Sequence, residues 1–512
     1  MKERILQILH ELIQIDSTTH TAKEKDVETY LSHLLQTMPG VISDKTAVPA
    51  DSLHRAVVYG LVLGQTKHTV VFLNHHDVVG TAPYGVLAKD AFSPDRLRAA
   101  LQKQEQNPEV IADLQSGDWL VGRGSCDMKG GMAAQLVVLE EYAKQPGQAS
   151  VLFLSVPDEE SYSDGMRAAM PLLLQLQRTY GLRYRVAINC EPSPKEGDSL
   201  VAYTGSVGKL LPVVVVQGKP VHVGNYQEGL NPIGVLSRII ASTEGNMALS
   251  DTWGNEVTPP PAWMYMRDRK KHYDVSLPYR AAGWMNFLTY QKTPAQVIAI
   301  LQDAAKQAIA ETKTKLNVQI LTGAELLELG KKKEGFSVLV DHLYHQSQLA
   351  LQDGTSSYAE ETISMIAHML AFLDITEPTI VIAFAPPFYP AAQSTALADP
   401  AYKGLLQAVQ DAVPVTYKSY FNGISDCSYC CLDKNVTEDM LQGNLLLWGD
   451  AYPMDFQSLA KIRMPFLLLG PWGKDLHERT ERVHIGSLTE DVPKVLQNVI
   501  DYVGHCDESY MK

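Results

Sequence analysis

From the start of the chain to about residue 204, short apolar runs alternate with helical stretches, and the runs end in histidines and carboxylates. The runs cover residues 56–63, 69–73, 150–156 and 186–188, with amphipathic helices such as 131–144 between them. Such alternation confines this part of the chain to an α/β domain with a largely parallel sheet. In sheets of that kind, sites form beyond the carboxyl ends of the strands. His75 and Asp77 close one run, Asp158, Glu159 and Glu160 follow another, and Glu191 follows a third.

The texture changes near Gly205. A strand and turn are predicted over 210–216 with Val221 and His222, and helices over 232–242 and 296–315, with Pro259-Pro260-Pro261 marking an irregular segment. The charge run 331–334 reads as a solvated turn, 340–373 as a helical hairpin, and 379–384 as a buried strand closed by Pro386-Pro387. The α/β texture then resumes, with a helix at 401–412, strands near 415–420 and 465–469, and a last helix from Val492. A chain of 512 residues exceeds one ordinary core. The expected division is one α/β domain built from residues 1–204 and 391–512, interrupted by an inserted domain at 205–390.

The formal net charge of −14, from 44 basic and 58 acidic residues, argues against nucleic acid or a membrane as partner. Six cysteines form no disulfide-like framework, and Cys427-x-x-Cys430-Cys431 lacks a second pair to complete four metal ligands. Residues 1–15 read as an amphipathic helix with Ile5, Leu6, Leu9, Leu12 and Ile13 on one side, without a signal-peptide core. No apolar run approaches the ~20 residues that span a bilayer. The expected location is the cytoplasm.

Five segments supply ligand-type side chains where strands or turns end. His75 and Asp77, two apart, face the same way, and His76 faces the other; a satisfied histidine at a strand end is the plainer reading. In Gly122–Gly131, four glycines permit a tight backbone around one carboxylate, Asp127; a turn before a helix remains the alternative. Phosphate binding is disfavoured because neither G-x-G-x-x-G nor G-x4-G-K-[ST] occurs there. Asp158-Glu159-Glu160 crowds three acids that repel unless cations or a proton relieve them. A divalent cation lowers the pKa of water towards ~7, so an adjacent glutamate can take its proton. Glu191 ends a buried run before Pro192, and His477 begins His477-Glu478-Arg479-Thr480-Glu481; each, alone, also fits a turn cap or a surface histidine.

Taken in order, these segments resemble the M20 family of metallopeptidases and amidohydrolases, whose motifs are H-x-D, G-R-G-x-x-D-x-K-G-G, D-E-E, an acid before Pro, and a C-terminal H-x-x-x-E. The likeness covers nearly the whole chain. It is greatest to the arginine-utilisation, RocB-type branch, through Phe92-Ser93-Pro94-Asp95, Ser116-Gly117-Asp118-Trp119-Leu120, Gly423-Ile424-Ser425-Asp426-Cys427-Ser428-Tyr429 and Gly470-Pro471-Trp472-Gly473-Lys474-Asp475. The resemblance implies a zinc-exopeptidase-like catalytic domain with a mixed, largely parallel sheet and an inserted α+β lid or dimerisation domain. It implies two divalent metal ions, zinc in the family: His75 and Glu191 on one, Glu160 and His477 on the other, and Asp127 bridging. Glu159 would be the general base, Asp77 the orienter, and His222 the lid histidine that stabilises the oxyanion. A cis peptide is expected at Asp127–Met128, and a homodimer through the lid.

Two departures bear on substrate. Residues 81–117 form an insertion bordering the entrance, and the lid is long. Where many deacylases carry an arginine in an N-x-R segment, this chain has Asn286-Phe287-Leu288. Asp426, with Gly423 and Ser425 in place of the usual G-G-T-D segment, is expected to meet a basic amine or guanidinium instead. The reading is a hydrolase of an N-acyl amino acid or small peptide, in arginine or ornithine catabolism. Its alternatives are a small-peptide exopeptidase and a metal-binding regulatory protein without turnover.

Overall fold

The computed structural model describes residues 1–270, 272–397, 400–432 and 436–506. Two compact units result: Met1–Ser206 with Ala392–Leu432 and Gln457–Lys512, and Val207–Ala391 with Asp433–Phe456. Residues 436–456, expected in the closing part of the first unit, group with the second. The Phe384 amide donates to the Asn444 carbonyl at 2.8 Å, and Tyr452 Oη accepts from the Phe388 amide at 3.0 Å.

In the first unit the main sheet runs Ile42–Ala47, Ala56–Val62, Ser150–Val156, His68–His75, Arg183–Asn189, Phe466–Leu468, Ser199–Tyr203, Val415–Lys418. His68–His75 lies between Ser150–Val156 and Arg183–Asn189, parallel to both, and Phe466–Leu468 is parallel to Arg183–Asn189. The antiparallel pairs lie toward the sides, so the sheet is mixed with a parallel centre. That parallel centre sets three strand ends side by side at His75, Val156 and Asn189, where the ligand-type residues follow.

The helix after the glycine loop, Lys129–Lys144, is buried on nearly every side through Leu139 rather than amphipathic. It packs under Lys2–Gln14 and Val492–His505, so both its faces meet protein. Fully buried Lys129 donates its ammonium to the carbonyls of Leu12 and Ile15 at 3.0 and 2.7 Å, tying the end of the first helix to the glycine loop. A small sheet of Gly473–Lys474, Arg482–His484 and Trp119–Val121 frames the loop that carries His477.

The second unit is α+β. Its five-stranded sheet runs Ala262–Asp268, Arg280–Thr289, Gly208–Gln217, Thr379–Tyr389, Gln319–Thr322. Helices Pro232–Thr243, Pro294–Thr312 and Tyr358–Phe372 pack on it, and Phe336–Gln352 pairs with Tyr358–Phe372 as the expected hairpin. Pro386-Pro387 does not close its strand, which continues to Tyr389. The prolines fall where the register against Gly208–Gln217 shifts between Lys209 and Leu211, a position at which a missing N–H leaves no ladder bond unmade. Among the described residues no helix is long and apolar enough to cross a membrane.

Candidate metal centre

The ends of three central strands and two loops of the first unit bring five side chains into two groups that can each hold a metal ion: His75, Asp127 and Glu191, and Asp127, Glu160 and His477. Asp127 belongs to both. Its Oδ1 lies 3.3 Å from His75 Nε2, and its Oδ2 lies 3.1 Å from His477 Nε2. Glu191 Oε1 is 3.3 Å from His75 Nε2, and Glu160 Oε2 is 3.2 Å from His477 Nε2.

Local sequence explains how each ligand is held. Gly124 adopts φ +77, and at Gly131 a Cβ would sit 2.2 Å from the Cys190 carbonyl, so the loop folds onto the strand that leads to Glu191. The Asp127–Met128 peptide is cis, as expected. Buried Glu481 pairs with buried Arg123 and accepts the amides of Cys126 and Asp127 at 3.2 and 3.4 Å. Asp77 accepts the amides of Glu159 and Glu160, both at 3.1 Å, and its Oδ1 lies 3.4 Å from His75 Nδ1. It therefore orients both glutamates through their backbone as well as the histidine ring.

Asp158 turns away from the cluster. It meets buried Arg55 at 2.5 Å, and Arg55 also binds Glu24 at 3.1 Å and Asp51 at 3.0 Å. Neither Arg55 nor Glu24 was singled out from sequence, since nothing local marks a partner that lies 103 residues from its acid. In the sequence Glu481 stands out only as the last residue of H-x-x-x-E.

The electrostatics are those of crowded acids short of positive charge. Burial, with Glu191, Asp426 and Glu160 nearby, pushes Glu159 well above the ordinary carboxylate range against the pull of His75. Burial and Asp127 push Glu160 up to about 7. Hydrogen bonds to Asp127 and Glu160 raise His477 to about 10. His75 stands well above its ordinary value because Glu191, Asp127 and Asp77 outweigh its burial. His75 Nε2, Glu160 Oε1 and Glu191 Oε1 are buried without a hydrogen-bond partner. Buried ligand-type atoms left without a hydrogen bond, one histidine per group and one shared carboxylate fit two divalent cations that take nitrogen and oxygen ligands.

The remaining expected residues fall in two places. Asp426 and Ser425 are buried in the first unit; Ser425 Oγ accepts from Asn189 Nδ2 at 3.3 Å, and burial raises Asp426 to about 7. Gly423 is exposed in the turn before them. His222 and Asn286 belong to the second unit: His222 is exposed and accepts the Gly224 amide at 3.1 Å, while Asn286 is half-buried opposite Ala262. All six cysteines are free, and those at 427, 430 and 431 are buried.

Residues 100–430 match Peptidase family M20/M25/M40. The chain is 30% identical to the uncharacterized protein YqjN of Bacillus subtilis, over 98% of this chain and 96% of YqjN. It is 27% identical to Protein RocB of the same organism, over 97% of this chain and 94% of RocB. The fold is shared with aminopeptidase PepT from Bacillus cereus, with a TM-score of 0.57 at 14% identity, covering 98% of this chain and 99% of that one. This chain belongs to the M20/M25/M40 peptidase family. It is a hydrolase of the peptidase and amidohydrolase kind.

Proposed function

We propose that this protein hydrolyses the amide bond of an N-acyl amino acid or small peptide with two divalent cations, zinc being the family's metal. The observation that carries the reading is the pair of donor groups sharing Asp127, with Glu159 beside them. When bound, the cations would hold the attacking water and polarise the scissile carbonyl. His75 and Glu191 would hold one, Glu160 and His477 the other, and Asp127 both. Glu159 accepts a proton from the water and passes it to the departing amine; its raised pKa suits a group that must carry that proton between steps. Asp77 keeps Glu159 and Glu160 in place through their amides.

Asp426, Ser425, Gly423 and Asn286 are proposed to meet the substrate, Asp426 through a basic group. The arginine- or ornithine-related class rests on likeness to Protein RocB and on that acid. The second unit is proposed as a lid and homodimer surface, and the protein as cytoplasmic. A mass-spectrometric screen of N-acyl amino acids and dipeptides, with zinc supplied, tests the function. Turnover of acylated or peptidyl basic amino acids is expected; zinc bound with no turnover across the panel would favour a regulatory protein.

His222 is proposed to stabilise the oxyanion. His222→Ala is expected to lower kcat by about 10²- to 10³-fold with zinc content unchanged, the size of one lost oxyanion donor. An unchanged kcat would remove it from the machinery.

A further inference from the structure

The insertion at 81–117 has its own small apolar centre, Tyr84, Leu87, Leu97, Leu101 and Leu114, so it holds shape as a subdomain of the first unit. Its helices, Pro94–Gln104 and Pro108–Ser116, each begin with proline, and Asn107 caps the second by accepting the Glu109 amide. Three acids face outward from it: Glu105 just past the first helix, and Glu109 and Asp113 four residues apart on one face of the second. Opposite them stand three bases, Lys474, Arg479 and Arg482, on the hairpin whose loop carries His477.

The three acids and three bases make four close ion pairs. Arg479 Nη2 lies 2.8 Å from Glu105 Oε2, and Lys474 Nζ lies 2.8 Å from Glu109 Oε1. Asp113 Oδ2 spans both arms of the hairpin, 2.9 Å from Lys474 Nζ and 2.8 Å from Arg482 Nε. Lys474 also sits over the rings of Trp119 and Trp472, 4.6 and 4.9 Å from their centres. Exposed ion pairs contribute little. Here Glu105 is 8% and Asp113 15% exposed, whereas Glu109 is 65% exposed, so the first two carry the restraint.

The loop between the arms is held within by Thr480 and Arg482 on Asp475, and is also held from outside. Asp475 and His477 have φ of +56 and +65, a region uncommon for residues other than glycine though Asp and His enter it more readily than most. Arg123 donates to the His477 carbonyl at 2.9 Å, while the Arg123 amide donates to the carbonyl of Ala91, inside the insertion, at 2.9 Å. The insertion thus meets the His477 loop directly through Glu105 and Arg479, and indirectly through Arg123, which bonds both Ala91 and His477.

We propose that the 81–117 insertion is a positioning element for His477, and that Glu105 and Asp113 set the cation affinity of the Asp127–Glu160–His477 group separately from the His75–Asp127–Glu191 group. The affinity part rests on the two-cation reading above; the ordering of the loop does not.

The test compares wild type with Glu105→Gln/Asp113→Asn, full length. Zinc titration of metal-free protein is expected to show one site weakened by about 10- to 100-fold, the range for lost outer partners of metal ligands, and the other unchanged. Hydrogen exchange of the metal-free proteins should show amides 475–481 exchanging at least ~10-fold faster in the variant, with those of His68–His75 unchanged. Exchanging the charges, Glu105→Arg with Arg479→Glu, should restore protection, and Glu109→Gln should leave it as in wild type. Both zinc sites weakened alike, or wild-type protection at 475–481 in the double variant, overturns the proposal. Should wild type bind no zinc, the two-cation reading falls and the exchange result alone decides the ordering role.

Discussion

Glu159→Gln is expected to lower kcat by about 10²- to 10⁴-fold while both cations stay bound, because it removes a general base and none of the ligand atoms. Glutamine keeps the shape of the side chain, and the backbone hold by Asp77 acts on the Glu159 amide, which the substitution leaves in place. The loss should therefore appear in kcat with KM little changed, the mark of an interaction made in the transition state. Steady-state kinetics on the best amide from the substrate screen, with zinc measured on the same samples, checks it. Turnover near the wild-type rate would end the base assignment; loss of zinc would show that Glu159 is a ligand.

The second large effect concerns stability. Glu481→Ala leaves buried Arg123 unpaired and takes the acceptor from the amides of Cys126 and Asp127. Breaking a buried ion pair on one side costs about 3–5 kcal/mol, because the remaining charge stays out of water. Urea unfolding of the metal-free protein should show that loss. A double replacement, Arg123→Met with Glu481→Leu, should recover part of it, since no charge is left stranded. A single variant within about 0.5 kcal/mol of wild type, the usual range for plain surface changes, would mean the pair is not the support of the Asp127 loop.

Much of the centre was readable because its ligands follow strands, and strand ends are written locally as apolar runs that stop. His75, Asp127, Glu160, Glu191 and His477 do converge, although His477 lies 350 residues from Asp127 along the chain. Their order in the chain, with the motif spacing, carried that information; no single segment did. What stayed hidden depends on contacts between distant residues. Arg55 holding Asp158, the burial of Lys129–Lys144 on both faces, and the placement of 436–456 with the second unit all require knowing what packs against what. Prolines usually end a ladder, so the sequence predicts a strand that stops at Pro386-Pro387, whereas a register shift lets it continue to Tyr389. The insertion was visible as extra length, but its acids gained meaning only when seen against Lys474, Arg479 and Arg482.

Two cations that share the Asp127 carboxylate can be counted on the intact protein. Native mass spectrometry of the zinc-loaded protein should give two ions per chain in wild type and loss of both in Asp127→Ala, with circular dichroism confirming that the variant is folded. Fewer than two ions in fully loaded wild type, or two retained in folded Asp127→Ala, would rule out a pair of cations bridged by Asp127.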